Sequence, residues 1–371
     1  MYDNLLPEAI SAWEKDVIHA GTSDQIPLNQ CDFTPIGGDL GTDAEDFTVS
    51  EIPAYLPCGS GEHLYLKIQK RGKSTLDVLK LFEIEFGIKE SDIGYAGKKD
   101  AHAVTEQWLS IRSKSDMDDA LRALQSITWL KILEVSRHTN KLRLGHLRGN
   151  QFRIRLTDVT ASDEAIDKAL RATESKGFIN YFGKQRFGFE GANAQRGIEI
   201  LRGGKAPHQL RILYINAVQS AIFNLTAGRR FLETGFAICE GDVLRKHHAG
   251  CFVCEDPHTD AERAAQGEVT VMLPLPGKKV MHGRHFTEKI EQKSLEDFFH
   301  AWNLCDHDFS ALNTDCLSRF ADGDRREFWI KPEQMIFRRT NDNSIWVEFN
   351  LPSGSYATVL LRHLCGSSFS R

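Results

Sequence analysis

The densest concentration of reactive side chains lies in GYAGKKDAHAVTEQWLSI, from Gly94 to Ile111. Gly94 and Gly97 predict tight backbone turns, Lys98 and Lys99 bring positive charge, and the carboxylate of Asp100 follows at once. This spacing is not a P-loop, because Gly97 and Lys98 have no Ser or Thr behind them, and nucleoside-triphosphate cradling is excluded. Taken alone, such a turn has two readings: Asp100 is a catalytic carboxylate, or it is a capping or surface anion. A second string, NYFGKQRFG at Asn180–Gly188, interleaves Tyr181, Phe182 and Phe187 with Lys184 and Arg186. That mixture suits stacking on bases and contact with phosphates, and equally suits interdomain packing. A third, HHAGCFVCEDPH, offers His247, His248, Cys251, Cys254 and His258, but it holds one CxxC without a second, so no metal site is assigned.

Charge narrows the partners. The formal net charge of −5 opposes non-specific nucleic-acid binding, so any RNA site must be local. The stretch from Lys131 to Arg155 meets that need: Lys131, Arg137, Lys141, Arg143, Arg148, Arg153 and Arg155 stand against the single acid Glu134. Its alternative is a solvated basic face. The eight cysteines are scattered along a chain of 371 residues, too long to need stapling, which points to reduced thiols. There is no apolar run of about twenty residues, and the acidic start MYDNLLPEAISAWEKD does not resemble a signal peptide. A cytoplasmic protein is expected.

Periodicity supplies the elements that must position these groups. Leu76, Leu79, Phe82 and Phe86 follow helical spacing, with Ser74 or Thr75 as cap and Gly87 as stop, and this helix delivers the chain toward SDIGYAGKKD. Further helices are predicted at about Met117–Leu124, Asp163–Glu174, through SAIFNLTAGRRFLETG, and at Ala357–Leu364. Strands are predicted around Thr128–Val135 and Gln151–Leu156, and at Ile345–Leu351, where Ile345, Val347, Phe349 and Leu351 alternate with polar or interfacial residues. Helices and strands mix without a regular β-α-β rhythm, so the fold class is α+β. The length fits two domains, and the change of character between about Gly177 and Arg319 suggests an insertion within a discontinuous domain.

The Gly94–Ile111 string resembles the signature of the TruD family of tRNA pseudouridine synthases, AG-x-KD-x-x-A-x-T-x-Q, with Ala96, Gly97, Lys99, Asp100, Ala103, Thr105 and Gln107 in place. EDF at Glu45–Phe47, GEH at Gly61–His63, RHTNKLRLGHLRGNQF at Arg137–Phe152, NYFGKQRFG, and LPSGSYAT at Leu351–Thr358 agree with the family in order and spacing. The resemblance spans nearly the whole chain. It implies a pseudouridine synthase catalytic domain with a mixed or antiparallel sheet, formed by residues 1–175 and 324–371. A TruD insertion domain would occupy 176–323. The implied substrate is tRNA, at uridine 13, with no cofactor and no metal; a monomer is expected separately from the resemblance. The family's strand-turn-strand at the CxxC region carries no metal ligands.

The resemblance also makes Asp100 the catalytic carboxylate and places Phe47, Asn150 and Phe349 at the target uridine, with Phe152 on the same strand as Asn150. Physically, a carboxylate can trap a cationic sugar carbon, add to the pyrimidine ring, or take the sugar proton. Phe offers a flat face to a flipped base and Asn150 can pair with a base edge, although Phe349 and Phe152 fall on apolar strand faces where core packing is the competing reading. Lys99, Arg143, Arg148, Lys184 and Arg186 are the RNA-contact candidates. One departure stands out: Gly41 occupies the position of a lysine in relatives, so the cation expected beside Asp100 must come from Lys98, Lys99 or elsewhere. Isomerisation on another RNA, or an RNA-binding protein with altered catalysis, are the rival readings.

Overall fold

Capping chemistry and strand alternation set the local structure as the residues foretell. Ser74 accepts the Asp77 N–H while the Asp77 carboxylate accepts the Ser74 N–H, and Gly87 closes the helix Thr75–Phe86 in the left-handed conformation. The computed structural model describes residues 10–28, 32–99, 103–112, 122, 124–247, 249–304, 315–340, 342–366 and 369. Asp100, His248 and most of the predicted Met117–Leu124 helix lie outside the described residues. Helices at Asp163–Lys176, His208–Thr234 and Ala357–Cys365 match the periodicity.

In chain order the strands are β1 (Asp39–Leu40), β2 (Phe47–Pro53), β3 (His63–Arg71), β4 (Ile93–Tyr95), β5 (Val104–Arg112), β6 (Leu130–His138) and β7 (Leu147–Thr157). There follow β8 (Phe178–Ile179), β9 (Val243–Lys246), β10 (Cys251–Val253), β11 (Val269–Leu275), β12 (Asp324–Glu327), β13 (Trp329–Ile330), β14 (Glu333–Arg339) and β15 (Ile345–Pro352). The described chain forms two compact units. One holds the described parts of Asp32–Lys176, Lys331–Ala357 and Leu364–Arg371; the other holds those of Met1–Cys31, Gly177–Ile330 and Thr358–His363.

The first unit is built on a sheet with the order β14-β15-β7-β2-β5-β3-β6, to which β1 adds beside β7 and β4 beside β5. β2 and β5 run parallel, and the other described ladders of this sheet are antiparallel. The sheet is therefore mixed and the α+β class holds. On one face Leu64, Leu66, Ile68, Leu109 and Ile111 pack against Val78, Leu79 and Phe82 of the helix Thr75–Phe86. Each such side chain contributes about 1.5–3 kcal/mol on burial, which is enough to fix the helix and the turn that leaves it.

The second unit centres on the helix His208–Thr234, whose middle is buried from Ala217 to Arg230. Its buried charges are paired: Arg229 with Glu14 and Asp297, Arg230 with Asp242, and Arg325 with Glu291. The β9–β10 hairpin carries Cys251, and Cys254 beyond it is buried, its thiol pushed up to about 12, mainly by burial. Among the described residues no group of His, Cys, Asp and Glu is arranged to hold a metal ion.

Candidate active site

Three adjacent strands bring the sequence-predicted residues onto one face. In register, Phe152 of β7 lies opposite Val49 of β2 and Phe349 of β15, while Asn150 lies opposite Glu51 and Leu351. Val49 in turn lies opposite Thr105 of β5. Partners opposite one another share a face, so Phe47, Glu51, Thr105, Gln107, Asn150, Phe152 and Phe349 all project to the same side. Phe47 meets Phe152 edge-on at 6.1 Å between centroids, and Phe152 stacks on Phe349 at 5.4 Å. All three rings are buried, Phe349 to 1% exposure. The three rings therefore pack as core, with Asn150 projecting on the same face.

The segment leading to Asp100 is held by a chain of buried polar contacts. The Lys99 N–H donates to Thr75 Oγ1 at 2.8 Å, and the Thr75 hydroxyl donates to Gln107 Oε1 at 2.9 Å. Lys99 Nζ meets Glu51 Oε1 at 2.9 Å, with side chains 8% and 2% exposed, and Glu51 Oε2 accepts the Trp108 N–H at 2.9 Å. Lys99, offered by the sequence as an RNA contact or a counter-charge, is instead committed to a buried ion pair. The described ends of the following link are fastened to the same corner, since the Thr75 N–H donates to Lys99 O and the Gly72 N–H to Ala103 O.

Glu51 and Lys70 were not singled out from the sequence, and Thr75 only as an alternative helix cap. Lys70 is fully buried and its ammonium donates to Lys73 O at 2.5 Å. A signal existed: in Phe47, Val49, Glu51 and in Leu64, Leu66, Ile68, Lys70, strict alternation places a charge at the next inward position. A charge in such a place has to be paired.

Some polar groups on this face remain unsatisfied. Thr105 Oγ1, Gln107 Nε2 and Asn150 Oδ1 are buried with no hydrogen-bond partner among the described residues.

The glycines act differently from the expectation. Neither Gly94 nor Gly97 takes a positive φ. Gly94 lies within β4, and a Cβ there would come within 2.2 Å of Leu142 O, so close approach and not a turn is what requires it. Gly41 has a comparable cause: a Cβ would stand 2.3 Å from Asp46 Oδ2, so the Asp46 side chain fills the space that a side chain at this position would need.

The basic stretch divides. Arg153 pairs with Glu348 at 3.4 Å and lies over the Trp346 ring at 4.1 Å, and Arg155 is held by Asp46 and Asp342. Arg143 and Arg148 are exposed. In the other unit, Lys184 pairs with Asp24 at 3.1 Å and Arg186 lies 5.2 Å from the Phe182 ring centroid.

The comparisons agree on one family. The sequence model of tRNA pseudouridine synthase D (TruD) matches residues 26–206 and 204–364. A tRNA pseudouridine synthase D of Thermus thermophilus is 37% identical over 346 residues, covering 92% of each chain. That of an Anaeromyxobacter species is 38% identical over 349 residues, covering 91% of this chain and 95% of its own. A Methanosarcina mazei crystal structure assigned to tRNA pseudouridine synthase D has the same fold, with a TM-score of 0.67 at 21% identity, covering 92% of this chain and 97% of its own.

Proposed function

Because the chain belongs to the tRNA pseudouridine synthase D family, we propose that it isomerises uridine to pseudouridine in tRNA, at position 13, with Asp100 as the essential carboxylate. The reaction breaks the N1–C1′ bond of the nucleotide, turns the uracil, and joins C5 to C1′; the C5 proton leaves and N1 gains one. Asp100 serves it in the ionised form, by stabilising the sugar carbon, by adding to the ring, or by removing a sugar proton.

The observation that carries the reading is the juxtaposition of the Phe47, Phe152 and Phe349 rings with the unpartnered Asn150 amide oxygen, next to the polar chain that holds Lys99. An extruded uracil finds an apolar wall and a polar edge there, which offsets the few kcal/mol of unstacking. We assign to Lys70 the counter-charge that Gly41 does not supply, because it is a fully buried cation next to the corner to which Lys99 and Ala103 are both hydrogen-bonded. In this reading the 176–323 region acts as the family's insertion domain and the sheet of 1–175 and 324–371 as the catalytic domain, although residues 10–28, 324–330 and 358–363 group with the former in the compact units described above. The enzyme works as a cytoplasmic monomer without a cofactor, and Arg143, Arg148, Lys184 and Arg186 meet RNA phosphates. Among the described residues no helix is long and apolar enough to cross a membrane.

The test is incubation with an unmodified tRNA transcript and mapping of pseudouridine by carbodiimide primer extension. Wild type is expected to modify position 13, and Asp100→Asn to bind tRNA without modifying it. Product from the Asn variant would remove Asp100 from its role, and product at another position would replace the substrate assignment.

A further inference from the structure

A second recess lies in the sheet unit, toward the His63 end of β3, and none of the residues of the aromatic wall lines it. It is a cavity of about 680 Å³ lined by Tyr55, His63, His138, Lys141, Arg143 and His146, among others, within the ~300–1,000 Å³ typical of ligand pockets. His63 lies eight residues before Arg71 along β3, about 27 Å at the usual strand rise. Arg71 pairs with Val104, at the end of the ladder next to the Lys99 and Ala103 contacts, whereas His63 pairs with Arg112 and His138.

The recess is organised. The Tyr55 hydroxyl and His146 Nδ1 are 2.7 Å apart, and the Tyr55 ring stacks on His138 with centroids 5.1 Å apart and planes 25° apart. His138 is held in place from two sides, by the Cys58 N–H on its Nδ1 at 3.2 Å and by the Tyr65 ring edge-on at 5.2 Å. His63 is buried, and its Nδ1 has no hydrogen-bond partner among the described residues. Burial lowers its proton affinity, which leaves the ring neutral and able to give or take one hydrogen bond. Of the charged lining groups, Lys141 and Arg143 are cations, and Glu62 is drawn off by Arg112 at 3.1 Å. Lys141 Nζ donates to Ser91 O, which fixes its stem at the rim.

A stacked aromatic pair, two cations and an unpartnered buried imidazole make a site for a nucleotide, whose base takes the ring face and whose phosphate takes the charges. We infer that this recess seats a nucleotide of the RNA other than the one isomerised, with its base against Tyr55–His138 and its phosphate on Lys141 and Arg143. The inference rests on the reading that the substrate is RNA. It gives a function to Arg137–His146, the part of the basic motif that the aromatic wall leaves unused.

The test is equilibrium binding of an unmodified tRNA transcript to the full chain across a salt titration, for wild type, Tyr55→Ala, Tyr55→Phe and Lys141→Ala. Circular dichroism melting shows which variants are folded. Loss of the ring in Tyr55→Ala raises Kd about tenfold, and Tyr55→Phe, which keeps the ring, stays within about threefold of wild type. Lys141→Ala lowers the slope of log K against log salt by about one. Folded variants with wild-type Kd and slope would overturn the inference. Ultraviolet crosslinking of the wild-type complex gives an answer independent of any variant: RNA-linked peptides from 54–63 or 137–147 support it, and links confined to other segments refute it. Wild type that does not bind tRNA would end the RNA reading itself, a result distinct from binding that ignores this recess.

Discussion

Glu51→Gln isolates the contact on which the Asp100 segment depends. The substitution keeps shape and lets the amide oxygen accept the Trp108 N–H, which lies 2.9 Å from Glu51 Oε2, but it removes the charge facing Lys99 Nζ at 2.9 Å. Both side chains are almost wholly buried, so water cannot replace the lost partner. Breaking one side of a buried pair costs about 3–5 kcal/mol, which lowers the melting temperature by on the order of 10 °C. Lys99→Met leaves the opposite orphan, a carboxylate still holding one N–H, and costs somewhat less. The double variant leaves no orphan charge, so it is expected to be more stable than the sum of the singles by at least about 2 kcal/mol. Urea unfolding followed by tryptophan fluorescence measures the cycle, because Trp108 lies at the pair. The same displacement of the Lys99 backbone reduces kcat for pseudouridine formation about a hundredfold. Single variants whose costs simply add, or a Glu51→Gln protein within about 0.5 kcal/mol of wild type, would refute the claim that this pair holds the segment.

Lys70→Met removes the buried ammonium of the same corner. A carboxylate that loses a nearby cation ionises at higher pH, so the acid limb of the pH–rate profile is expected to move up by about one unit; an unmoved limb with lower kcat would make Lys70 purely structural. Gly41→Lys drives a Cβ into Asp46 Oδ2 at 2.3 Å and displaces its bond to the Asp43 N–H and its pairing with Arg155. A loss of about 1–3 kcal/mol in thermal unfolding, with no gain in kcat, is the expected result. His363 is buried, and desolvation lowers its folded-state value from 6.5 to about 4. Between those values the unfolded chain binds the extra proton, so acidification from pH 7 to 4 withdraws about 3 kcal/mol. Urea unfolding over that range should show this loss in wild type and its absence in His363→Leu.

Much of the fold was legible because its signals are local. The Ser74 cap, the apolar spacing through Phe86 and the Gly87 stop are all present within one helix and its neighbours, and the alternation from Ile345 to Leu351 needs no partner to be read. The inward charges at Glu51 and Lys70 were equally visible as breaks in alternation, yet a break does not say what it faces. The Lys99–Glu51 pair joins residues 48 apart in sequence, and no local pattern predicts such a meeting. The basic stretch shows the same limit in reverse: Arg153 and Arg155 count as free charge in sequence, but Glu348, Asp46 and Asp342 come from distant segments to neutralise them.

The sequence by itself determined the family, through ordered motifs around Gly94–Ile111 and Arg137–Phe152, and with it the expected chemistry of Asp100. It also determined the α+β class and the strands carrying Phe152 and Phe349. Only the tertiary structure decided that Phe47, Asn150, Phe152 and Phe349 share one face, that Lys99 is spent on Glu51, that Gly41 makes room for Asp46, and that Tyr55, His63, His138 and His146 enclose a second recess. The physical reason is that strand register and burial set which distant side chains meet and which charges must pair, and neither is a property of any short stretch of chain.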